Sequence, residues 1–493
     1  MKKRFFLLSI FTFIFSFNCL FAQIINEKES LAYKNTLRQQ VPDKWYLSAS
    51  AIVRVTLKEN RHFKQLSLDS LKLSAQLDSL EKQGYTAIEI FATPYGGRSY
   101  GGLDAIDRYT IDPEIGTMND FRRLVRQVHR KKMAIIAFDN MGYSSAEAPP
   151  FLKACEDVGK GIASEESKWF SWADSINAPA PGKADTYFLS GSKWIFSPVA
   201  NKYYWCKWDG TDKNDKICFL PQYNWSPEWQ AEVKNNIRFW MNTGIDGMVV
   251  DAVNWYTNYT WQMGKECITD IISSYGNTFI QPEGAGGFHE DPVSWITDGG
   301  WNCVQDYGLG IWWEKESNVL INGIDNHTTA GIEDALLKYH DRVVAEGGVL
   351  YMGADIKIKE PQKYYQYVAF CVATGHLYCK SLRAQEDYTV DKTLANILKI
   401  KKEHPAFEQL GRRQKLRTND DSKYFSFIER SANNSERILC VFNFQDAEEM
   451  ITTDLSGINA LSLVDIETGK TIDFAKAFKS KVPAYGYRFY KIE

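Results

Sequence analysis

"GIDGMVVDAV", residues 244–253, runs an apolar segment straight into an acid. Met248, Val249 and Val250 read as a short buried strand: they are apolar, two are β-branched, and Gly247 precedes them. Asp251 follows with no intervening turn residue, and no Lys or Arg in the stretch balances it. A carboxylate is costly in an apolar interior. A strand that ends on one is therefore expected to open onto a polar cleft.

The pattern repeats on either side of this stretch. "AIVRVTL" (51–57), "TAIEIFAT" (86–93), "MAIIAFDN" (133–140), "GMVVDAV" (247–253), "TFIQPEG" (278–284), "WNCVQDY" (301–307), "VLYMGADI" (349–356) and "GHLYC" (375–379) are all strand-like. Helical segments lie between them, among them "MNDFRRLVRQVHRKK" and "SPEWQAEVKNNIRFWMNTG". In the latter, Ser226 is placed as the N-cap and Pro227 at the first helical position. Strands alternating with helices predict a parallel (β/α)8 barrel.

Two regions break the alternation. Residues 141–225 are rich in Ser, Pro, Gly and Trp, show no clean periodicity, and are too long for a simple loop. They are expected to form a small inserted domain after the third strand. From residue 411 to 493 the pattern becomes one of short alternating runs such as "KYFSFIE" and "RILCVFNF", which predicts an antiparallel β-sandwich. The barrel is thus assigned to residues 23–140 and 226–410. Residues 1–22 have a basic start (Lys2, Lys3, Arg4), an apolar run and a small residue, Ala22, at the end. That is the pattern of a cleaved signal peptide, so export to the periplasm or the medium is expected, without a lipid anchor at Cys19.

Net charge is −3, from 58 Lys and Arg against 61 Asp and Glu, which leaves no basic footprint for nucleic acid. No second long apolar run suggests a transmembrane segment. Eight cysteines remain after Cys19, with no metal-type spacing; Cys206 and Cys218 flank a polar turn and are expected to pair. Fifteen Trp, 26 Tyr and 28 Phe suit either a sugar-binding cleft or a large core, and both readings stay open. No cofactor or metal is expected, and oligomeric state is open.

Active sites of parallel barrels lie at the C-terminal ends of the strands. Three acids end strand-like runs: Asp251, Glu283 and Asp355. Any one alone is explained as a helix cap; three at one rim point to chemistry. Two facing carboxylates cleave a glycosidic bond, one as nucleophile or base and one as acid, and about 5–6 Å between them corresponds to retention.

The run "GGLDAIDRYTIDPEIGTMNDFRRLVRQVHRKKMAIIAFD" resembles the second-to-third-strand region of the α-amylase family, glycoside hydrolase family 13, and "GIDGMVVDAV" resembles its nucleophile strand. "WIFSPVANKYYWCKW" and "LPQYNW" resemble the inserted domain of its α-glucosidase branch. The resemblance implies Asp251 as nucleophile, Glu283 as general acid/base and Asp355 as the third acid; "GIDNHTT" (323–329) is set aside for the third acid because it leaves too few residues for the preceding helix. It also implies departures. The family's Arg two before the nucleophile is Val249, its first-region Asp, Asn and His fall on Ala137, Met141 and Gly142, and the Asn-His before the third acid become Gly353 and Ala354. Arg98, Arg108 and Lys357 are candidates to replace the missing cation, and Asp104, Asp139, Asn140 and Asn254 are the expected substrate-binding polar groups. The resulting expectation is a retaining hydrolase or transglycosidase on α-glycosidic bonds of an oligo- or polysaccharide other than plain starch, with small side chains leaving room for a bulkier sugar. The alternatives are a catalytically inactive glycan-binding homologue and a purely structural exported protein.

Overall fold

The computed structural model describes residues 41–56, 73–97, 102–182, 193–207, 220–253, 256–283, 291–306, 329–352, 358–383 and 389–493. Eight parallel strands form one sheet: β1 (Ala51–Thr56), β2 (Ala87–Phe91), β3 (Ala134–Asp139), β4 (Gly247–Val250), β5 (Phe279–Pro282), β6 (Cys303–Gln305), β7 (Val349–Met352) and β8 (Leu377–Arg383). Their order is β5-β4-β3-β2-β1-β8-β7-β6, so β1 lies beside β8 and the sheet curls on itself. The seam between β5 and β6 is closed at Asn302, whose backbone N–H donates to Ile280 O at 3.3 Å and whose side chain adds two bonds. Asn302 Oδ1 accepts from Ile280 N–H at 2.9 Å, and its Nδ2 donates to Thr278 O at 2.6 Å. All eight expected strands are present, and the (β/α)8 barrel is the observed fold.

The strands are apolar on both faces because both are covered. Ile52, Ala87, Ile136, Phe138, Val249, Phe279, Cys303 and Tyr351 form the inner cluster. Val53, Ile88, Ile135, Met248, Val250, Ile280 and Val304 pack outward against the helices. Period-two alternation thus fixes which residues look into the barrel.

Local sequence signals account for the helix starts. Thr117 Oγ1 accepts from Asp120 N–H at 3.2 Å while Asp120 Oδ2 accepts from Thr117 N–H at 2.8 Å, a full capping box for the helix Met118–Arg130. Ser226 Oγ accepts from Trp229 N–H at 3.3 Å at the start of Pro227–Met241. Two helices are irregular: Lys265–Thr269 form a π-turn between the α-helical pieces Trp261–Gly264 and Asp270–Ser273, and Leu336–His340 do the same in the helix that starts at Thr329.

Between β3 and β4 lie the helix Pro149–Gly159 and a small antiparallel sheet of Trp172–Ala173, Lys193–Ser197, Lys202–Lys207 and Leu220–Pro221. Its aromatics are core residues. Tyr223 stacks on Trp229 with ring centroids 3.4 Å apart, and Phe151 packs edge-on to Phe170 and Tyr204. Trp225, Trp229, Trp240, Trp295 and Trp301 are all fully buried, so much of the aromatic surplus is packing. Cys206 is buried on its strand; Cys218, and with it the expected bridge, lies outside the described residues.

After the barrel come a six-stranded antiparallel sheet and a two-stranded one, Glu449–Asp454 with Ala477–Val482. Ile428, Leu439, Val441, Ile451, Phe478 and Val482 fill the space between them. The opposite face of the larger sheet joins the barrel core, where Phe370 meets Phe425, Phe427 and Phe442 at 5.0–6.1 Å.

Candidate active site

The ladder runs one residue past β4 and β5. Asp251 N–H donates to Asp139 O at 2.9 Å and Glu283 N–H to Val250 O at 2.8 Å. Both acids therefore sit at the C-terminal ends of neighbouring strands. Asp251 is two residues beyond the inward-facing Val249 and shares its face; Glu283 stands in the same relation to Gln281.

The backbone turns sharply after Asp251. Ala252 has φ +50°, a left-handed conformation that costs a residue with a Cβ about 1–2 kcal/mol. The turn aims Ala252 N–H at Glu283 Oε2, 3.1 Å away. The two carboxyl groups are close enough to share a hydrogen bond. Two carboxyls so placed repel when both are ionised and attract when one hydrogen lies between them. Burial, then the neighbouring Glu283, hold Asp251 well above the usual carboxylate range, while Asn140 and Arg54 pull it down.

Asn140 is oriented from behind. Its Oδ1 accepts from Gly142 N–H at 2.8 Å and from Tyr143 N–H at 3.2 Å, so Nδ2 is the end that faces the acids, and it donates to Asp251 Oδ2 at 2.7 Å. Tyr256 buttresses the strand end. Its hydroxyl donates to Asp251 O at 2.6 Å and accepts from Met141 N–H at 2.9 Å, and its ring stacks on Trp225. A Cβ on Gly142 would lie 2.2 Å from Tyr256 Cε1. The small residue at 142 does not leave space for a bulkier sugar, as the sequence suggested; the Tyr256 ring fills it. Val249 likewise packs into the barrel interior rather than opening a pocket.

Two more expectations are corrected. Asp139, 2% exposed, alternates with the inward-facing Phe138 and so points out of the barrel, where Arg108 holds it at 3.0 Å. It is a structural ion pair and not an open sugar ligand. Arg108 also donates to Asn140 O and Tyr143 O at 2.5 and 2.7 Å and lies 5.4 Å from both the Tyr223 and Trp229 rings, so it is not the cation for Asp251. Asp104 is fully buried, its Oδ2 packed where a Cβ on Gly97 would be, at 2.1 Å. Asp355, Asn254, Arg98 and Lys357 lie outside the described residues.

Arg54, a cation that the sequence pattern does not single out, is buried in the barrel interior. It lies on β1, inside the barrel, with Nε 2.5 Å from Glu89 Oε1 and Nη2 3.2 Å from Tyr351 Oη. Its guanidinium lies 4.9 Å from the Phe138 ring centroid. The signal was present: a charge in the middle of each of two neighbouring apolar strands, "AIVRVT" and "AIEIF", at paired positions. Among the described residues no group of three or more His, Cys, Asp or Glu could hold a metal, and no helix is long and apolar enough to cross a membrane.

Two neighbouring carboxyls at the C-terminal ends of adjacent strands of a (β/α)8 barrel form the kind of acid pair that glycosidic-bond cleavage uses. The family model "Alpha amylase, catalytic domain" matches residues 69–283. That stretch of the chain is similar to the α-amylase catalytic domain, and the relatives it resembles include oligo-1,6-glucosidases and a probable α-glucosidase. It is 30% identical over 154 residues to a trehalose synthase/amylase of Mycobacterium tuberculosis, covering 31% of this chain and 24% of that protein. It is 24% identical over 181 residues to an oligo-1,6-glucosidase of Parageobacillus thermoglucosidasius, covering 36% and 30%. The match thus spans about a quarter to a third of the length of these curated relatives. Among solved structures, the trehalulose synthase of Pseudomonas mesoacidophila MX-45 superposes with a TM-score of 0.68 at 15% identity, covering 91% of this chain and 99% of that one. That likeness establishes the fold.

Proposed function

We propose that the protein is a retaining glycoside hydrolase or transglycosidase acting on α-glycosidic bonds of a small oligosaccharide, and not on plain starch. The observation that carries the reading is the contact between Asp251 and Glu283 at the ends of β4 and β5. Asp251 attacks the anomeric carbon, the bond to the leaving oxygen breaks, and Glu283 delivers its proton to that oxygen. Water or a sugar hydroxyl then attacks the Asp251 glycosyl ester, giving its proton to Glu283. Asn140 supports this division because it donates to Asp251 and so favours its carboxylate form.

The relatives are named as a trehalose synthase/amylase and an oligo-1,6-glucosidase, and the second name, with the trehalose activity of the first, supports small α-linked glucosides as the substrate class. Asp355 is proposed as the third acid, residues 1–22 as an export signal, and residues 141–225 and 411–493 as the inserted and C-terminal domains. The test is a panel of trehalose, sucrose, isomaltose, maltose and starch, run with the wild type and with Asp251→Asn. Turnover of a small α-glucoside, lost by at least about 10³-fold in Asp251→Asn with the fold intact, is expected. No turnover across the panel, with retained binding, would instead favour a glycan-binding homologue. Starch hydrolysis as the best reaction would overturn the substrate assignment.

A further inference from the structure

The chain crosses between the barrel and the small antiparallel sheet twice, outward after β3 and back before the helix Pro227–Met241, and the two crossings are bonded to each other. Tyr223 N–H donates to Gly142 O and Ser144 N–H to Pro221 O, both at 2.9 Å. Arg108, 7% exposed, reaches this junction from the segment after β2. Its Nη1 lies 3.0 Å from Asp139 Oδ1, and its Nη2 donates to Asn140 O and Tyr143 O at 2.5 and 2.7 Å. Its own carbonyl is pinned to the helix Pro227–Met241, accepting from Asn236 Nδ2 at 2.8 Å and from Trp240 Nε1 at 2.9 Å. A buried ion pair is a weak source of stability, because two charges lose their water. What a guanidinium adds, and apolar residues of similar size do not, is several donors in one plane.

We propose that Arg108 is a positioning residue for the acid pair: by holding the carbonyls of Asn140 and Tyr143 it fixes the turn that presents the Asn140 amide to Asp251. The turn is gripped from two sides. Arg108 takes the carbonyls at its two ends, and Asn140 Oδ1 takes the N–H groups of Gly142 and Tyr143 at 2.8 and 3.2 Å. That leaves Asn140 Nδ2 aimed at Asp251 Oδ2, 2.7 Å away. Each link from the guanidinium to the acid is thus a hydrogen bond, and a single residue, Asn140, stands between them. Asp139 is the counter-ion that permits a guanidinium to be buried here, and its own carbonyl accepts from Asp251 N–H at 2.9 Å. Misplacing a group at a reacting centre by about 1 Å costs about 10²-fold in rate, so a turn that loosens by that much would be felt at Asp251.

The role rests on the proposed glycosidase reading, so the test has one arm with substrate and one without. Arg108→Met/Asp139→Leu removes both charges together and leaves no lone buried charge. With the best sugar of the panel it is expected to lower kcat about 10²-fold while KM stays within about threefold, in protein that remains folded. Asn140→Ala should do the same, and the three substitutions together should lose no more than Asn140→Ala alone, because the clamp acts through that amide. Should the double variant fail to fold, Arg108→Lys keeps a charge beside Asp139 without the plane of donors, and is expected to lose about tenfold in kcat. Wild-type kcat in a folded Arg108 variant, or losses that multiply with that of Asn140→Ala, overturn the proposal. Without substrate, amide hydrogen exchange of residues 140–144, read by mass spectrometry, is expected to quicken at least about tenfold in Arg108→Lys while Met248–Val250 are unchanged. Equal exchange in the two proteins overturns it as well. If exchange quickens and the wild type turns over no sugar of the panel, the clamp on Asn140 stands and the glycosidase reading fails.

Discussion

Gly142→Ala tests the packing behind the acids. The added Cβ would meet Tyr256 Cε1 at 2.2 Å and Cδ1 at 2.3 Å. Carbon atoms rest about 3.5–4.0 Å apart, so the ring must retreat by more than about 1 Å. The ring cannot do so and keep its hydroxyl in place, because that hydroxyl is held at 2.6 Å from Asp251 O and 2.9 Å from Met141 N. Overpacking a dense site costs about 1–3 kcal/mol, and each lost hydrogen bond about 1 kcal/mol. The expected loss is about 3–5 kcal/mol, large against a typical total stability of about 5–15 kcal/mol. It is read from the urea midpoint with the slope unchanged. Because Tyr256 holds the peptide of Asp251, turnover should fall by about 10²-fold in the protein that remains folded. Tyr256→Phe keeps the ring and removes the hydroxyl, so it should cost less, about 1–2 kcal/mol. A Gly142→Ala protein within 0.5 kcal/mol of the wild type, with unchanged turnover, would refute the claim that Tyr256 is wedged against residue 142.

Three further outcomes are expected. Gln281 is fully buried on the inner face of β5, and neither end of its amide finds a partner among the described residues; Gln281→Met should raise stability by about 1–2 kcal/mol in thermal or urea unfolding, and a drop in turnover alongside would mark the amide as retained for the site. His376 is held down to about 4 by burial, against the pull of Asp306; below pH 6.5 the unfolded chain takes up a proton that the folded one refuses, so stability present at neutral pH should fall by up to about 3 kcal/mol as pH drops from 6.5 to 4, and His376→Asn should lack that part of the slope. Asn140→Ala removes the amide donor to Asp251 and leaves the Gly142 and Tyr143 N–H groups without their acceptor; it should cost about 2–4 kcal/mol and move the acid limb of the pH–rate profile upward, and a profile unchanged from the wild type would contradict its assigned role.

The barrel was legible because its signals are local. Each strand is a short apolar run set between helical stretches, and Thr117 with Asp120 or Ser226 with Pro227 declare helix starts within a few residues. That Asp251 and Glu283 meet also follows from sequence order, since consecutive strands of a parallel barrel are neighbours and both acids come directly after their strands. What surrounds them did not follow. Gly142 and Tyr256 are far apart in the chain, and nothing near Gly142 says that a ring will fill its side. Asp139 reads as a cleft residue because it ends a strand. One position of register puts it on the outer face, against an Arg that arrives from the loop after β2. Arg54 alone, a single charge in a strand, reads as an edge residue. Only with Glu89 at its paired position does it read as an inward ion pair. The π-turns at Lys265–Thr269 and Leu336–His340 contain no Gly or Pro that would mark them in the sequence.

The central claim is that Asp251 and Glu283 work as nucleophile and acid/base on an α-glycosidic bond. The most direct measurement is the anomeric form of the first product, followed by proton NMR from the start of the reaction with the best substrate of the panel. The account predicts the α-anomer first, with the β-anomer appearing only later by mutarotation. The β-anomer as the first product would mean inversion, with water attacking in place of Asp251, and would contradict it.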